Sequence, residues 1–329
     1  MELPFGELLF VSNYHIFSIY PFLIQSERIK MNIENIKDFR EELMDALGAF
    51  VDEETEVCPC DVQKNNGVVL CGILIKRPGK NVTPSIYLEQ FYDEYRCGGD
   101  IDDIAKKVIE LDEKSRDNIF FDADFYTDFD KVKSHLFVKM ISRKNNEKLI
   151  KDIPYREFLD LIIAVYCDVS DMCQLEATIL VRNEHLERWE IDREEIIDIA
   201  YDNTKRVGCQ LRDIVEIAGE IKGDEAIEAV ARDVAGRMFV MNNTRPFFGA
   251  ICMTYDDMLD EFLECSDNGV YIIPSSIHEV ILVSEEFIGK EPQQINQIIE
   301  YVNSDSLSAE EVLSEHAYYY SKQDGYACV

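Results

Sequence analysis

The segment Lys131-Val-Lys-Ser-His-Leu-Phe-Val-Lys-Met-Ile141 is the part of the chain that best indicates its fold. Side chains on a β-strand point alternately to its two faces. The apolar residues at positions 132, 136, 138 and 140 would face one side of such a strand. The alternation therefore predicts a strand over residues 132–141. Its other side would carry basic and aromatic residues, namely Lys131, Lys133, His135, Phe137 and Lys139.

The neighbouring segments predict a mixture of strands and helices. Residues 159–167 are almost continuously apolar, which predicts a strand covered on both faces, with residues 177–181 as its hairpin partner. Apolar residues recur three and four positions apart over residues 32–51, which predicts an amphipathic helix. The turn Asn65-Asn66-Gly67 predicts a hairpin that continues into a strand at residues 68–76.

Two other local signals predict helices. Residues 86–95 have a helical pattern, and Ser308 followed by Glu311 is a capping box, which marks the start of a helix. Because strands and helices do not alternate regularly, the whole sequence predicts an α+β fold. Its elements would be mixed antiparallel hairpins and amphipathic helices arranged in two halves.

Changes in composition along the chain predict its domains. Residues 1–30 form an apolar extension unlike the rest, and we expect translation to begin at Met31 instead. Residues 31–206 are predicted to form an N-terminal α+β domain, and residues 238–329 a C-terminal α+β domain. The alanine- and charge-rich residues 207–237 are predicted to be a helical linker or insert between them.

The overall charge limits the kinds of partner. The 329 residues include 65 acidic and 33 basic side chains, for a net charge of −32, and 47% hydrophobic residues are enough for a packed core. Such a charge disfavours extended nucleic acid and anionic membranes as partners. We therefore expect a cytoplasmic protein. A different hypothesis is that the acidic chain imitates a nucleic-acid backbone and inhibits a protein that binds nucleic acid.

The cysteines predict neither disulfides nor a metal site. Ten cysteines lie scattered without framework spacing, which is typical of a reducing compartment. The one close pair, Cys58-Pro-Cys60, has a poor spacing for zinc. Glycine loops for phosphate and paired-histidine zinc motifs are absent from the sequence. The sequence therefore predicts no metal and no cofactor.

Residues 131–156 are a basic segment in this acidic chain, with eight Lys or Arg residues against two acidic ones. A local charge reversal is either neutralised by the chain's own carboxylates or offered to an anionic partner. The alternative of internal neutralisation would use Asp122, Asp124, Asp128 and Asp130. Arg245, in a polar and aromatic loop, is a further anion-binding candidate. The predicted binding residues are Lys131, Lys133, His135, Phe137, Lys139, Arg143 and Arg245.

The stretch Ser275-Ser-Ile-His-Glu279 contains hydroxyl, imidazole and carboxylate groups, which are the components of a hydrolytic site. On a strand, Ser276 and His278 would share a face while Glu279 would point away, so no catalytic relay forms locally. The sequence leaves two interpretations open. His278 and Ser276 either belong to a hydrolase site completed from elsewhere, or they form a turn whose histidine packs.

Three stretches carry a resemblance to a known family. They are Asp128-Phe-Asp-Lys-Val-Lys-Ser-His-Leu-Phe137, Ile153-Pro-Tyr-Arg-Glu-Phe-Leu-Asp-Leu161 and Tyr271-Ile-Ile-Pro-Ser-Ser-Ile-His-Glu-Val-Ile281. Over about residues 32–320 the chain resembles an uncharacterised bacterial family, a domain of unknown function from anaerobic Gram-positive genomes. The resemblance implies no activity, cofactor or catalytic residue.

These observations favour a non-enzymatic binding protein that uses the basic segment. Its partner would be an unknown protein or a small anionic ligand. A hydrolase at His278 and an acidic inhibitor are the alternatives.

Overall fold

A computed structural model of the protein describes residues 9–10, 33–79, 83–117, 123–172, 177–220, 235–245, 247–263, 269–288, 293–305 and 307–329. The described chain combines helices with antiparallel sheets, which confirms the α+β prediction. Apart from the strand residues Leu9 and Phe10, the predicted extension at residues 1–30 and the predicted start at Met31 lie outside the described residues.

The α-helices are α1 (Ile33–Leu47), α2 (Glu89–Arg96), α3 (Ile101–Asp117), α4 (Ala123–Thr127), α5 (Phe129–Val132), α6 (Asn183–Trp189), α7 (Arg193–Val207), α8 (Ile214–Glu220), α9 (Asp256–Leu263), α10 (Glu285–Ile288) and α11 (Gln293–Asp305). The strands are β1 (Leu9–Phe10), β2 (Glu56–Gln63), β3 (Val69–Lys76), β4 (Ser85–Tyr87), β5 (Leu136–Ser142), β6 (Tyr155–Phe158), β7 (Leu161–Asp168), β8 (Ala177–Leu180), β9 (Cys209–Asp213), β10 (Met238–Asn243), β11 (Val270–Pro274), β12 (Val280–Ser284), β13 (Tyr318–Ser321) and β14 (Gly325–Cys328).

The chain divides into two compact units. Unit 1 takes Leu9 and Phe10 with the described residues of 33–135 and 167–180, and unit 2 takes those of 136–166 and 181–329. This division differs from the predicted domain boundaries, which stay predictions. Within residues 207–237, β9 pairs with β10 in unit 2, whereas residues 221–234 lie outside the described residues.

Unit 1 contains an antiparallel sheet in the order β2-β3-β4. The predicted hairpin is confirmed, because Asn66 and Gly67 take positive φ angles of 57° and 71° in the turn that joins β2 to β3. The predicted helix at residues 32–51 is confirmed as α1. One face of α1 carries Phe39, Leu43 and Leu47, all fully or almost fully buried in the core of the unit.

Unit 2 contains a six-stranded sheet in the order β14-β13-β11-β12-β10-β9. A second set of strands places β5 beside β7, and β6 pairs antiparallel with β7. Every residue of β7 is buried, as its continuous apolar sequence predicts. Helix α7 packs on β5, where the Thr204 hydroxyl accepts a hydrogen bond from the Val138 N–H at 2.9 Å.

The prediction of a strand over residues 132–141 is wrong in its first half. Residues 129–132 form α5 and residues 133–135 a 3₁₀ turn, so the strand begins at Leu136. The Asp128 carboxylate caps α5 by accepting a hydrogen bond from the Asp130 N–H. Capping and charge pairing over three positions favour a helical turn, and strand alternation alone does not reveal them.

Two other local predictions need correction. Ile86 and Tyr87, predicted as the start of a helix over residues 86–95, lie in β4, which pairs with β3. The Ser308 hydroxyl does donate to the Glu311 carboxylate at 2.5 Å, but the residues that follow form a turn rather than a helix. No helix among the described ranges has the length and apolar content that a membrane crossing needs.

Candidate functional site

Five cations of the basic segment (residues 131–156) form ion pairs with carboxylates of the same chain. Lys133 Nζ lies 2.7 Å from Asp130 Oδ1, and this contact holds the pKa of Asp130 below its usual value. Arg143 pairs with Glu157 at 3.1 Å. The remaining pairs are Lys131–Asp128, Lys144–Glu315, Arg156–Glu194 and Arg156–Asp198. Two of these carboxylates, Asp128 and Asp130, are among those that the alternative of internal neutralisation names.

His135 does not lie on the predicted basic face of a strand. It ends the 3₁₀ turn, its Nδ1 lies 3.2 Å from the Asp168 carbonyl oxygen, and its ring meets the edge of Phe125. These contacts give the imidazole a packing role in unit 1. Lys131 lies in α5 and Lys133 in the 3₁₀ turn, so the predicted strand face that joins them to His135, Phe137 and Lys139 does not form.

Five of the predicted residues come together in unit 2. Phe137 and Lys139 are two positions apart on β5 and therefore share a face. The loop after β10 supplies Arg245, and the connection between β11 and β12 supplies Ser276 and His278. We use the name aromatic–cation cluster for Phe137, Lys139, Tyr166, Arg245, Phe248 and His278.

Aromatic rings hold the cations of this cluster. Lys139 is 7% exposed, and its Nζ lies 4.8 Å from the ring centroid of Phe248. The His278 ring stacks on the same phenyl ring, with centroids 5.6 Å apart and planes 11° apart. The Arg245 guanidinium carbon lies 4.0 Å from the centroid of Phe137. The ring of Tyr166 contacts the rings of both Phe137 and Phe248. It therefore connects the Arg245–Phe137 contact with the Lys139–Phe248 contact.

The backbone at Phe248 is strained. Its φ of 60° and ψ of 30° lie in the left-handed region, which costs a residue with a Cβ about 1–3 kcal/mol. Its N–H donates to His278 Nδ1 at 3.1 Å, and this bond helps to hold the conformation. The next residue must be glycine, because a Cβ on Gly249 would lie 2.6 Å from the His278 carbonyl oxygen.

The protonation of His278 follows from its surroundings. Burial lowers its pKa to about 4, with Glu311 opposing the shift and Lys139 adding to it, so the ring is neutral at pH 7. Because Nδ1 accepts the Phe248 N–H, the ring proton resides on Nε2, which lies 3.9 Å from Glu311 Oε1. The Ser276 hydroxyl oxygen accepts from the His278 backbone N–H at 3.0 Å.

These contacts do not aim the imidazole at the Ser276 hydroxyl. A general base needs an unprotonated ring nitrogen within hydrogen-bonding reach of the proton that it removes. In His278 the unprotonated nitrogen is engaged by the Phe248 N–H. The local geometry therefore favours a packing role for His278, and the hydrolase hypothesis stays a prediction.

Side chains that sequence reasoning missed meet at another place in unit 2. Among the residues that the structure describes, Asp160, His316 and Cys328 bring three metal-ligand atoms within 4.8 Å of one another. Asp160 and His316 are 156 positions apart, so no spacing rule could have found them. The expectation of no metal site rested on local spacing alone.

The fold and the cluster define an α+β protein with an interior group of aromatic and cationic side chains. The chain belongs to a family of unknown function (DUF5688), whose model matches residues 36–322. This match confirms the family resemblance seen in the three quoted stretches. No curated protein matches the chain, and no solved structure matches it.

Proposed function

We propose that the protein binds a small anion at the aromatic–cation cluster and performs no chemistry on it. The observation that carries the proposal is the position of Lys139, whose ammonium group is buried against the Phe248 ring in a chain with a net charge of −32. Arg245 adds a second permanent cation on the same group of rings.

Aromatic support suits anion recognition for two physical reasons. A cation over a ring face is stabilised by the ring quadrupole, which fixes its position before a ligand arrives. A guanidinium that lies flat on a ring also directs its N–H donors outward in its own plane, where carboxylate or phosphate oxygens accept them in pairs. Partial exclusion of water strengthens such contacts.

The proposed ligand is small rather than polymeric. Two cations on neighbouring rings match one or two anionic groups, whereas binding to a long polyanion needs many phosphate contacts. The acidic remainder of the chain would repel an extended polyanion. The exposed Lys133 and Lys144 of the basic segment take no part, because carboxylates of the chain already pair with them.

Calorimetric titration with inorganic phosphate and pyrophosphate, in metal-free buffer at constant ionic strength, tests the proposal. We expect saturable binding of one of the two anions, weakened at least about tenfold by Arg245→Gln, which removes one charge-assisted contact. Lys139→Met should have a similar effect, with circular dichroism as the check on its fold.

Lys144→Gln is the matched control, because it removes a cation that is 75% exposed and paired with Glu315. It should bind like the wild type. The proposal fails if neither anion binds saturably, or if the control weakens binding as much as Arg245→Gln does.

The alternative proposal is a hydrolase at Ser276 and His278. It is favoured by the position of both residues in the connection between β11 and β12, where the Ser276 hydroxyl oxygen accepts a hydrogen bond from the His278 backbone N–H. Screening with chromogenic ester and phosphoester substrates tests it. An activity that His278→Ala abolishes would replace the binding proposal, and an activity that survives this substitution would remove the hydrolase.

A further inference from the structure

Three separate parts of unit 2 converge on one small surface. Asp160 lies in the two-residue turn between β6 and β7, after Leu159, whose φ of 54° is left-handed. His316 immediately precedes the segment that enters β13, and Cys328 ends β14. The pairing of Tyr318 with Cys328 across β13 and β14 fixes the register of the last two groups.

The ligand atoms of these residues are close together. His316 Nε2 lies 3.1 Å from Asp160 Oδ2, and Cys328 Sγ lies 4.0 Å from Asp160 Oδ1. A tetrahedral zinc ion with bonds of about 2.0–2.3 Å holds its ligand atoms roughly 3.3–3.6 Å apart. The three ligand atoms all lie within 4.8 Å of one another, and the Asp160 and Cys328 side chains are exposed.

Both ring nitrogens of His316 face oxygen atoms. Its Nδ1 lies 2.9 Å from the Ala317 carbonyl oxygen, which can only accept, so Nδ1 carries a proton. Nε2 then faces the Asp160 carboxylate, another acceptor, at 3.1 Å. A metal ion bound between Nε2 and this carboxylate would accept a lone pair from each group.

Contacts around these side chains resemble the supporting shell of a metal site. A histidine ligand usually donates its other N–H to a carbonyl or carboxylate oxygen, and a carboxylate ligand is itself hydrogen-bonded. His316 has the Ala317 carbonyl in this position, and Asp160 accepts from the Tyr318 hydroxyl at 2.8 Å. On α11, Asn296 bonds the backbone of Ala317 and of Val329 at 2.9 Å each, which steadies both neighbouring segments.

The geometry points to a binding site for a zinc-type divalent ion formed by Asp160 Oδ, His316 Nε2 and Cys328 Sγ. Nitrogen and thiolate ligands select a borderline-soft ion such as Zn²⁺, whereas Mg²⁺ and Ca²⁺ prefer oxygen alone. Three protein ligands leave the fourth tetrahedral position for water or an exogenous ligand. On binding, the Cys328 thiol releases its proton to solvent and coordinates as the thiolate.

Titration of the full chain with Co²⁺ alone, a spectroscopic substitute for Zn²⁺, tests the site. We expect one equivalent to produce the sulfur-to-cobalt charge-transfer band and the d–d bands of a tetrahedral ion, and an equivalent of Zn²⁺ to displace it. Cys328→Ser should remove the charge-transfer band, and His316→Gln should weaken binding at least about 100-fold. Tyr318→Phe keeps the ring and removes the donor to Asp160, so it should weaken binding about 10–100-fold.

Cys97→Ser is the matched control, because Cys97 is another exposed thiol and lies in unit 1. It should retain the full band, and circular dichroism should show that all variants are folded. The inference is overturned if no band forms, or if the band survives in Cys328→Ser. It is also overturned if NMR finds both His316 ring nitrogens protonated at saturating Zn²⁺, because the contact with Asp160 is then a simple ion pair.

Discussion

The basic segment and the aromatic–cation cluster contain the same kinds of cation in opposite surroundings. Lys144 is 75% exposed and pairs with Glu315, whereas Lys139, five positions earlier, is 7% exposed and lies against Phe248. Exposed ion pairs are in general worth about 0–1 kcal/mol, because water screens them. The comparison shows that burial, rather than the density of lysines along the sequence, distinguishes the cations that matter for structure or function.

Unit 1 contains a buried ion cluster that extends this comparison. Asp112 is fully buried and its Oδ2 lies 2.8 Å from Arg116 Nε and 3.2 Å from Arg77 Nη2. Arg116 is four residues away on α3, a helical spacing close to that of the exposed pair Lys133–Asp130. Within the same unit, similar spacing therefore produces both a buried ion cluster and a solvated pair.

The largest expected effect comes from Asp112→Ala. The substitution leaves Arg77 and Arg116 without their shared carboxylate in a buried position, which costs about 3–5 kcal/mol of unfolding free energy. Urea denaturation measures it. Asp103→Ala on the same helix removes an exposed partner of Lys106 and should leave the midpoint unchanged. Equal shifts for the two variants would contradict the role given to burial.

Phe248→Ala should have the next largest effect. The ring is 6% exposed and contacts Lys139, Tyr166 and His278, so its loss creates a cavity and costs about 3 kcal/mol. Thermal and urea denaturation measure the change. Phe50→Ala, at a phenylalanine that is 39% exposed, is the control and should cost much less. A smaller cost at Phe248 than at Phe50 would show that the cluster does not pack as described.

The pH dependence of stability should show a moderate effect of His278. Its pKa is about 4 in the folded protein and about 6.5 when unfolded, so the unfolded chain takes up the proton first as the pH falls. The contribution of this histidine to the free energy of unfolding is complete above pH 6.5. It is lost as the pH falls towards 4, by up to about 1.4 kcal/mol per pH unit.

His278→Gln should flatten this part of the curve of unfolding free energy against pH. Wild type and variant are compared by urea denaturation from pH 7.5 to pH 4.5. His185 is buried with the same low pKa of about 4, so part of the slope remains in the variant. Parallel curves for wild type and variant would show that His278 is solvated in the folded protein.

The smallest effect is expected from Lys133→Ala. The lysine is half exposed and its partner Asp130 is 85% exposed, so the midpoint of urea denaturation should stay within experimental error. Added salt should not change the difference in the midpoint of urea denaturation between Lys133→Ala and the wild type. A clear loss of stability would mean that the exposed basic segment has a structural importance that its surroundings do not indicate.

Local sequence patterns predicted several elements well. The three-and-four spacing over residues 32–51 predicted α1, and Asn66-Gly67 predicted the turn between β2 and β3, since only local backbone preferences are involved. The helical turns at residues 129–135 and the absent helix after Ser308 were missed. At residues 129–132 the Asp128 cap outweighs the strand alternation, whereas at Ser308 the capping contact forms without a helix after it.

The residues of the candidate sites likewise divide into those that local sequence indicated and those that it did not. Phe137, Lys139, Arg245, Ser276 and His278 were each recognisable as chemically distinctive, but the sequence assigned them to three unrelated places. Asp160, His316 and Cys328 had no local signal at all, because the turn, the segment before β13 and the strand β14 that carry them meet only in the folded chain.

The sequence by itself determined the α+β class, the family, the acidic charge and the positions of most strands and helices. Periodicity and composition act over a few residues, and the sequence displays them directly. Tertiary structure alone decided which lysine is buried, which charges are paired and which side chains share a site. These properties depend on distances between residues more than a hundred positions apart, as for Asp160 and His316.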